Sequence, residues 1–234
     1  MNSSERQPYV SVIVPAYNEE KNIQKILQNI KKIKGYKLQI IVAIDSKTSD
    51  NTKGVAIKEK VEILLTKKTA GKGDVIRQAI KKVKGDYTIQ IDADSQFIPP
   101  DIPKMIQPLL ENYDVTLGTR YQKGSHVQKN SVTISKRFGS YFLSFVTSLV
   151  AGQTITDVMA GFKAFKTPVL KKISPKTSHF GYEAELAIKA AQNNYKIKNV
   201  PITYKKRELG RSTVNDLKHG FLVLGTILKF GLKV

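Results

Sequence analysis

The chain contains no cysteine. That excludes a disulfide framework and thiol chemistry, and is compatible with a reducing compartment. Histidine is nearly as scarce: His126, His179 and His219 are the three present, none in a pocket motif, so all are expected at the surface or in loops. Acidic residues are few, 19 Asp+Glu against 39 Lys+Arg, for a formal net charge of +20. The excess predicts an anionic partner, whether nucleic acid, an acidic membrane face or a phosphorylated substrate. Aromatic residues make up only 8%, and no stacking or groove-reading motif occurs, so nucleic acid is not the expected partner. Internal repeats and low-complexity segments are lacking, and the short polar stretch 1–8 is not expected to be a signal peptide. No apolar run reaches the roughly 20 residues of a membrane span.

What is present fits one substantial α/β domain of 234 residues, with 41% hydrophobic residues to fill a core. Residues 9–15 form a β-branched apolar run, expected as a buried strand that ends in Pro15-Ala-Tyr-Asn-Glu19. Asn18 is the expected N-cap of a helix whose apolar positions are Ile23, Ile26, Leu27, Ile30 and Ile33, stopped by Gly35. Further strands are expected at 38–44, 61–65, 87–91, 114–119 and 195–201. Helices are expected between them, including 74–83 and one running from Pro99-Pro100 to about Glu111. Residues 124–130 are expected to form a polar, mobile loop. Alternation of strands and helices implies a mostly parallel sheet covered by helices on both faces.

The chain's chemistry centres on Tyr87-Thr-Ile-Gln-Ile-Asp-Ala-Asp-Ser-Gln96. Asp92 and Asp94 are two residues apart, so on an extended backbone their carboxylates point the same way. Such a pair repels itself unless a cation lies between it and a second anion. Mg²⁺ or Mn²⁺ suits that role, with one or two protein carboxylates and the remaining ligands from phosphate and water. Gln96 can add a neutral oxygen. In parallel sheets ligands bind beyond the carboxyl ends of the strands, and Pro15–Glu19, Asp45 and Asp92–Gln96 all fall at such ends. Gly71-Lys72-Gly73 lacks the spacer and Lys-Ser/Thr pair of a P-loop. It is expected to be a tight turn, with Lys72 close to a phosphate as a secondary possibility.

These motifs, in this order, resemble family 2 glycosyltransferases of the GT-A (Rossmann-like) fold, and within them the dolichyl-phosphate mannose synthase group. The resemblance runs through Val14-Pro-Ala-Tyr-Asn-Glu19, Gly71-Lys-Gly73, Asp92-Ala-Asp-Ser-Gln96, Gly118-Thr-Arg-Tyr121, Asp157 with Gly161-Phe162, Glu183 or Glu185, Val200-Pro-Ile202 and Arg207-Glu-Leu-Gly-Arg-Ser212. It implies a single domain over 1–234, with 1–121 binding a nucleotide sugar and 122–234 facing acceptor and membrane. It also implies a polyprenyl (dolichyl) phosphate acceptor, GDP-mannose as the leading donor and a UDP-sugar as the alternative. By similarity Pro15, Tyr17 and Glu19 hold the nucleoside. Asp92, Ala93, Asp94 and Gln96 hold diphosphate and metal, with Arg120 and Arg207 on the phosphates. Asp94, Arg120 and Arg207 are then the expected catalytic residues. The family usually carries two adjacent acids where this chain has Asp45 and Ser46, and a lysine where it has Thr213, for which Arg211 is the candidate substitute. The nearest candidates for the acceptor phosphate are Lys136, Arg137 and Ser140.

A phosphate nucleophile is already largely ionised near neutral pH, its second pKa being about 6. No strong general base is needed, and direct displacement inverts the anomeric centre. Two apolar segments, 138–150 and 221–232, offer weakly polar faces, namely Ser140, Ser144, Thr147 and Ser148 in the first, Thr226 and Lys229 in the second. Both are expected as helices at a bilayer interface, which places the protein on the cytoplasmic face of a membrane. Competing readings are a nucleotidyltransferase, disfavoured by the acidic Pro15–Glu19 loop where a basic glycine-rich one belongs, and a basic nucleic-acid-binding module.

Overall fold

The structure, a computed structural model, describes residues 7–210 and 216–232. Strand β1 (Tyr9–Ala16) leads through α1 (Ile23–Lys31) to β2 (Lys37–Ile44), α2 (Thr52–Lys58), β3 (Glu62–Leu65), α3 (Lys72–Ile80) and β4 (Tyr87–Gln90). A 3₁₀ turn (Pro99–Asp101) opens α4 (Ile102–Leu110), followed by β5 (Val115–Thr119), β6 (His126–Val127), α5 (Ile134–Ala151), β7 (Lys163–Lys166) and α6 (Thr167–Lys172). The chain finishes with α7 (Tyr182–Gln192), β8 (Ile197–Pro201), β9 (Thr203–Tyr204) and α8 (Asp216–Gly231).

Seven strands form one sheet in the order β3-β2-β1-β4-β7-β5-β8. Its pairings are parallel except those of β7, which runs antiparallel between β4 and β5. Alternate residues of β1 enter opposite layers. Val10, Val12 and Val14 pack with α1 and α4, whereas Ile13 packs with Val75, Ile76 and Ala79 of α3 and with α7. Both faces are therefore dry, and this is why the strand reads as continuously apolar. From β1 the sheet grows outward in both directions, through β2 on one side and β4 on the other. That reversal places the β1 and β4 carboxyl ends beside a crevice.

Several local expectations are corrected. Asn18 is not a helix cap: it sits at φ 52° with its side-chain oxygen accepting from the Ser49 N–H at 2.8 Å, and α1 starts at Ile23. Residues 124–130 are not a plain loop, because β6 pairs with β9 and so fastens this segment to the strand end near the crevice. The antiparallel β7 was not expected at all.

Helices α5, α7 and α8 pack together on one side of the sheet. The orientation of α5 inverts the usual surface-helix pattern. Its hydroxyl residues Ser140, Ser144 and Thr147 are buried, while Phe138 and Phe145 are 70% and 61% exposed. Inward hydroxyls are satisfied: Thr147 donates to the Leu143 carbonyl one turn back, and the Ser144 hydroxyl accepts the Val158 N–H, beyond the helix, at 3.0 Å. On α8, Thr226 likewise turns inward and bonds the Leu222 carbonyl, with Phe221 73% exposed. Among the described residues no helix is long and apolar enough to cross a membrane.

Candidate active site

A crevice of about 1180 Å³ opens at the carboxyl ends of β1, β2 and β4 and runs to the α5–α8 pair. Its lining includes Pro15, Tyr17, Glu19 and Asp45 from the first two strand ends, Asp92, Ala93, Asp94, Gln96, Arg120 and Arg207, and Lys136, Ser140, Phe142, Phe221 and Leu224 from α5 and α8. Stretches far apart in sequence thus converge, as the strand-end rule requires. Ser46 is not among the lining residues; its hydroxyl lies 3.1 Å from the Thr69 hydroxyl. Arg137 is exposed, its guanidinium carbon 5.8 Å from the Tyr141 ring centre. Thr213 and Arg211 lie outside the described residues.

Asp92 and Asp94 stand where β4 runs out. Asp94 accepts the Gln96 N–H at 3.1 Å, which folds the loop back, and Ser95 takes the left-handed conformation at φ 63°. Gly161 lets Asp92 lie against the 157–161 loop, since a Cβ there would overlap the Asp92 carboxylate. Loss of water contact pushes the Asp92 carboxyl up to about 6 against the pull of Lys72, and Asp94 adds to the rise. Asp94 is raised for the same first reason, partly offset by its Gln96 hydrogen bond and Arg207. Two half-buried acids, both raised by burial, with a neutral amide beside them and an open crevice in front, are a donor set suited to a divalent cation whose remaining ligands come from phosphate. Asp92, Asp94 and Gln96 fit such an ion.

Both arginines lie in the crevice wall, but differently held. Arg207 donates to Glu19 at 2.7 Å and lies 3.6 Å from Asp94. Its position fixes one cation near the acids. Arg120 is engaged in a fork with the fully buried Asp157, Nε to Oδ2 at 2.7 Å and Nη2 to Oδ1 at 2.8 Å, between the rings of Tyr121 and Tyr204. Asp157 and its hydrogen bonds hold that guanidinium firmly charged. Asp45 is also committed, since its Oδ1 accepts from the Lys47 N–H at 2.9 Å and the Thr69 hydroxyl at 2.7 Å.

Beneath the acids lies a chain of charges that the sequence did not announce. The Lys72 ammonium is 2.7 Å from Asp92 and 3.3 Å from Glu183. Glu183 also accepts from Lys163 at 2.9 Å and from the Tyr182 hydroxyl at 3.1 Å. Lys163 is fully buried and donates in addition to the Val158 and Ala160 carbonyls. Its charge, followed by that of Lys72, keeps Glu183 below the usual carboxylate range despite burial. Glu185, the neighbouring alternative, does a different job: it accepts the N–H groups of Lys176 and Thr177, each at 2.7 Å, and holds that loop over Gly73. Of the histidines, His219 lines the crevice, contrary to expectation. The lysine in β7 carried no recognisable signal, whereas Lys72 stood out by its flanking glycines.

The family model described as Glycosyl transferase family 2 matches residues 11–174. Over 221 residues the chain is 34% identical to the uncharacterized protein MJ1222 of Methanocaldococcus jannaschii, covering 92% of this chain and 89% of that one. It is 28% identical to the UDP-N-acetylglucosamine–dolichyl-phosphate N-acetylglucosaminyltransferase of Methanococcus voltae, covering 94% of each. The dolichol-phosphate mannosyltransferase of Pyrococcus furiosus is 29% identical, over 87% of this chain and 58% of that protein. Among solved structures, glucosyl-3-phosphoglycerate synthase from Mycobacterium tuberculosis, in complex with Mn²⁺, UDP and phosphoglyceric acid, superposes with a TM-score of 0.73 at 18% identity, covering 96% of this chain and 79% of that one. At that identity the likeness establishes the fold.

Proposed function

The chain belongs to glycosyl transferase family 2, and from that membership we propose that it moves a sugar from a nucleoside diphosphate to a polyprenyl phosphate of the dolichyl type, with inversion, on the cytoplasmic face of a membrane. The observation that carries this reading is that one crevice is lined both by Asp92, Asp94, Arg120 and Arg207, suited to phosphates, and by Phe142, Phe221 and Leu224, suited to a lipid chain. Relatives in Methanococcus voltae and Pyrococcus furiosus that are named for dolichyl or dolichol phosphate support the same acceptor class.

Asp92, Asp94 and Gln96 would hold a Mg²⁺ or Mn²⁺ ion, which supplies charge neutralisation to the departing diphosphate. Arg207 adds fixed positive charge beside it, preorganised by Glu19. Asp157 immobilises Arg120, so that its guanidinium needs no reorganisation as charge develops. On the acceptor side Lys136 and Ser140 line the crevice and are suited to a phosphate, with Arg137 nearby at the surface. The lining carboxylates Glu19 and Glu183 are committed to Arg207 and to lysines. Among the described residues that leaves no uncommitted glutamate in the lining to act as a sugar nucleophile, which supports a single displacement by the acceptor phosphate.

The outward aromatic face of α5 and α8 supports membrane attachment. Burying one such side chain is worth about 1.5–3 kcal/mol, and the +20 charge adds attraction to anionic lipid. For the donor, GDP-mannose is the reading the sequence resemblance supports. A UDP-sugar is the second reading, favoured by Ser46 standing in place of a second acid and by Asp45 having one oxygen already engaged. A donor screen with GDP- and UDP-sugars, scored by transfer to polyprenyl phosphate, tests both. Product with GDP-mannose alone establishes the first; product with UDP-sugars alone establishes the second; product with neither overturns the proposal.

A further inference from the structure

Lys72 occupies a position that the proposed reaction does not by itself require. Its ammonium lies between two carboxylates, 2.7 Å from Asp92 and 3.3 Å from Glu183. The lysine enters α3 from Gly71-Lys72-Gly73, where a Cβ on Gly73 would overlap the Thr177 carbonyl. That close approach seats the turn on the segment leading into α7. Glu183 in turn is anchored on the buried Lys163, which grips two carbonyls of the loop carrying Gly161, against which Asp92 rests. The path from Asp92 down to Lys163 alternates in sign, and Lys72 joins its two acids by an ion pair on each side, while Glu183 is held in addition by hydrogen bonds from Lys163 and the Tyr182 hydroxyl.

We propose that Lys72 is a resident counter-cation of Asp92 that yields this carboxylate to the divalent metal and shifts onto Glu183 as it does so. Without metal, Lys72 prevents Asp92 and Asp94 from facing each other uncompensated. With metal, Glu183 keeps the displaced ammonium paired, so it never becomes an isolated buried charge, which is a costly arrangement. Glu183 is thus a positioning residue acting through Lys72. The consequence is that the ion binds weakly until further negative charge, such as a nucleoside diphosphate, joins it. The inference rests on the metal-binding part of the proposed function.

Mn²⁺ binding to the 234-residue chain, measured by calorimetry without nucleotide, tests this. Removing the competitor with Lys72→Met should tighten Mn²⁺ binding about tenfold, and Lys72→Arg, which keeps the charge, should stay near wild type; outer-sphere changes of this kind typically alter metal affinity 10–100-fold. Glu183→Gln, which denies Lys72 its alternative partner, should weaken binding by a similar factor. The double variant should match Lys72→Met alone, because Glu183 acts only through the lysine. An undiminished Glu183→Gln effect in the Lys72→Met background would reveal simple long-range attraction and overturn the proposal, as would unchanged or weaker binding by Lys72→Met. If Glu183→Gln does not fold, because Lys163 is left unpaired, the two Lys72 variants decide the matter. If wild type and Lys72→Met both bind no Mn²⁺ even with UDP or GDP present, the metal site itself fails and this inference with it. If wild type binds and Lys72→Met behaves identically, the inference alone fails.

Discussion

Arg120 and Asp157 form a bidentate pair inside the crevice wall, with contacts of 2.7 and 2.8 Å and an Asp157 that has no solvent exposure. The same carboxylate also accepts the Arg120 backbone N–H at 3.1 Å. An arginine bound this way is a structural element as well as a phosphate-facing charge.

Arg120→Met should therefore cost about 3–5 kcal/mol of stability, the usual penalty for stranding one partner of a buried pair. Arg120→Lys should also be harmful, because a point charge cannot replace the fork. Denaturant unfolding checks this: midpoints within error of wild type for both variants would contradict the role assigned to the pair.

Arg207 should behave differently. It is tied to Glu19, at the crevice rim, by 2.7 Å and to Asp94 by 3.6 Å. Arg207→Lys should keep the fold and lower kcat/KM by about 10²–10³, the scale of losing one preorganised donor. Circular dichroism with steady-state kinetics separates the effects, and full activity at saturating donor and acceptor would make the residue structural.

Asp94→Ala should abolish transfer while leaving unfolding nearly unchanged, because Asp94 sits on a loop whose apolar neighbours Ile91 and Phe97 carry the packing. Chelation of wild type should reproduce the loss, and Mn²⁺ or Mg²⁺ should reverse it. Near-normal turnover by the variant in a metal-supplemented assay would remove Asp94 from the site.

The acids also set a pH dependence. Asp92 is raised to about 6 in the folded chain. A cation must displace its proton below that pH and need not do so above it. The sign follows: Mn²⁺ should raise the melting temperature little at pH 5 and fully at pH 7.5. A metal-induced shift equal at both values would show that Asp92 is not a ligand.

Much of this was legible in the sequence because the relevant signals are local and strong. The β-branched runs became β1 and β2 as expected, and Pro15–Glu19, Asp45 and Asp92–Gln96 do fall at strand carboxyl ends beside one crevice. What escaped depends on long-range geometry. Strand β7 is four residues long and contains Lys163 and Lys166, so nothing in its composition marks it as a central strand. Its buried lysine is balanced in charge by Glu183, twenty positions away in sequence, and hydrogen-bonded to the Val158 and Ala160 carbonyls as well. The hydroxyls of α5 read as an outer face, yet they point inward because they find partners there, Thr147 on the Leu143 carbonyl of its own helix and Ser144 on the distant Val158 N–H.

That inversion leads to a membrane test. Replacing Phe138 and Phe145, both well exposed, by serine should leave the fold intact and sharply reduce retention on anionic vesicles. For wild type, rising salt should release only part of the bound protein, since screening weakens the lysine attraction and not apolar insertion. Complete release at moderate salt, or no binding at low salt, would contradict attachment through α5 and α8.

The most direct measurement of the central claim is single-enzyme transfer of a labelled sugar to polyprenyl phosphate in anionic vesicles, with the anomeric configuration of the product read by NMR. The expected result is a lipid-linked sugar phosphate of inverted configuration, lost in Asp94→Ala and on chelation. A retained configuration, or transfer only to a soluble acceptor with none to the lipid phosphate, would contradict it.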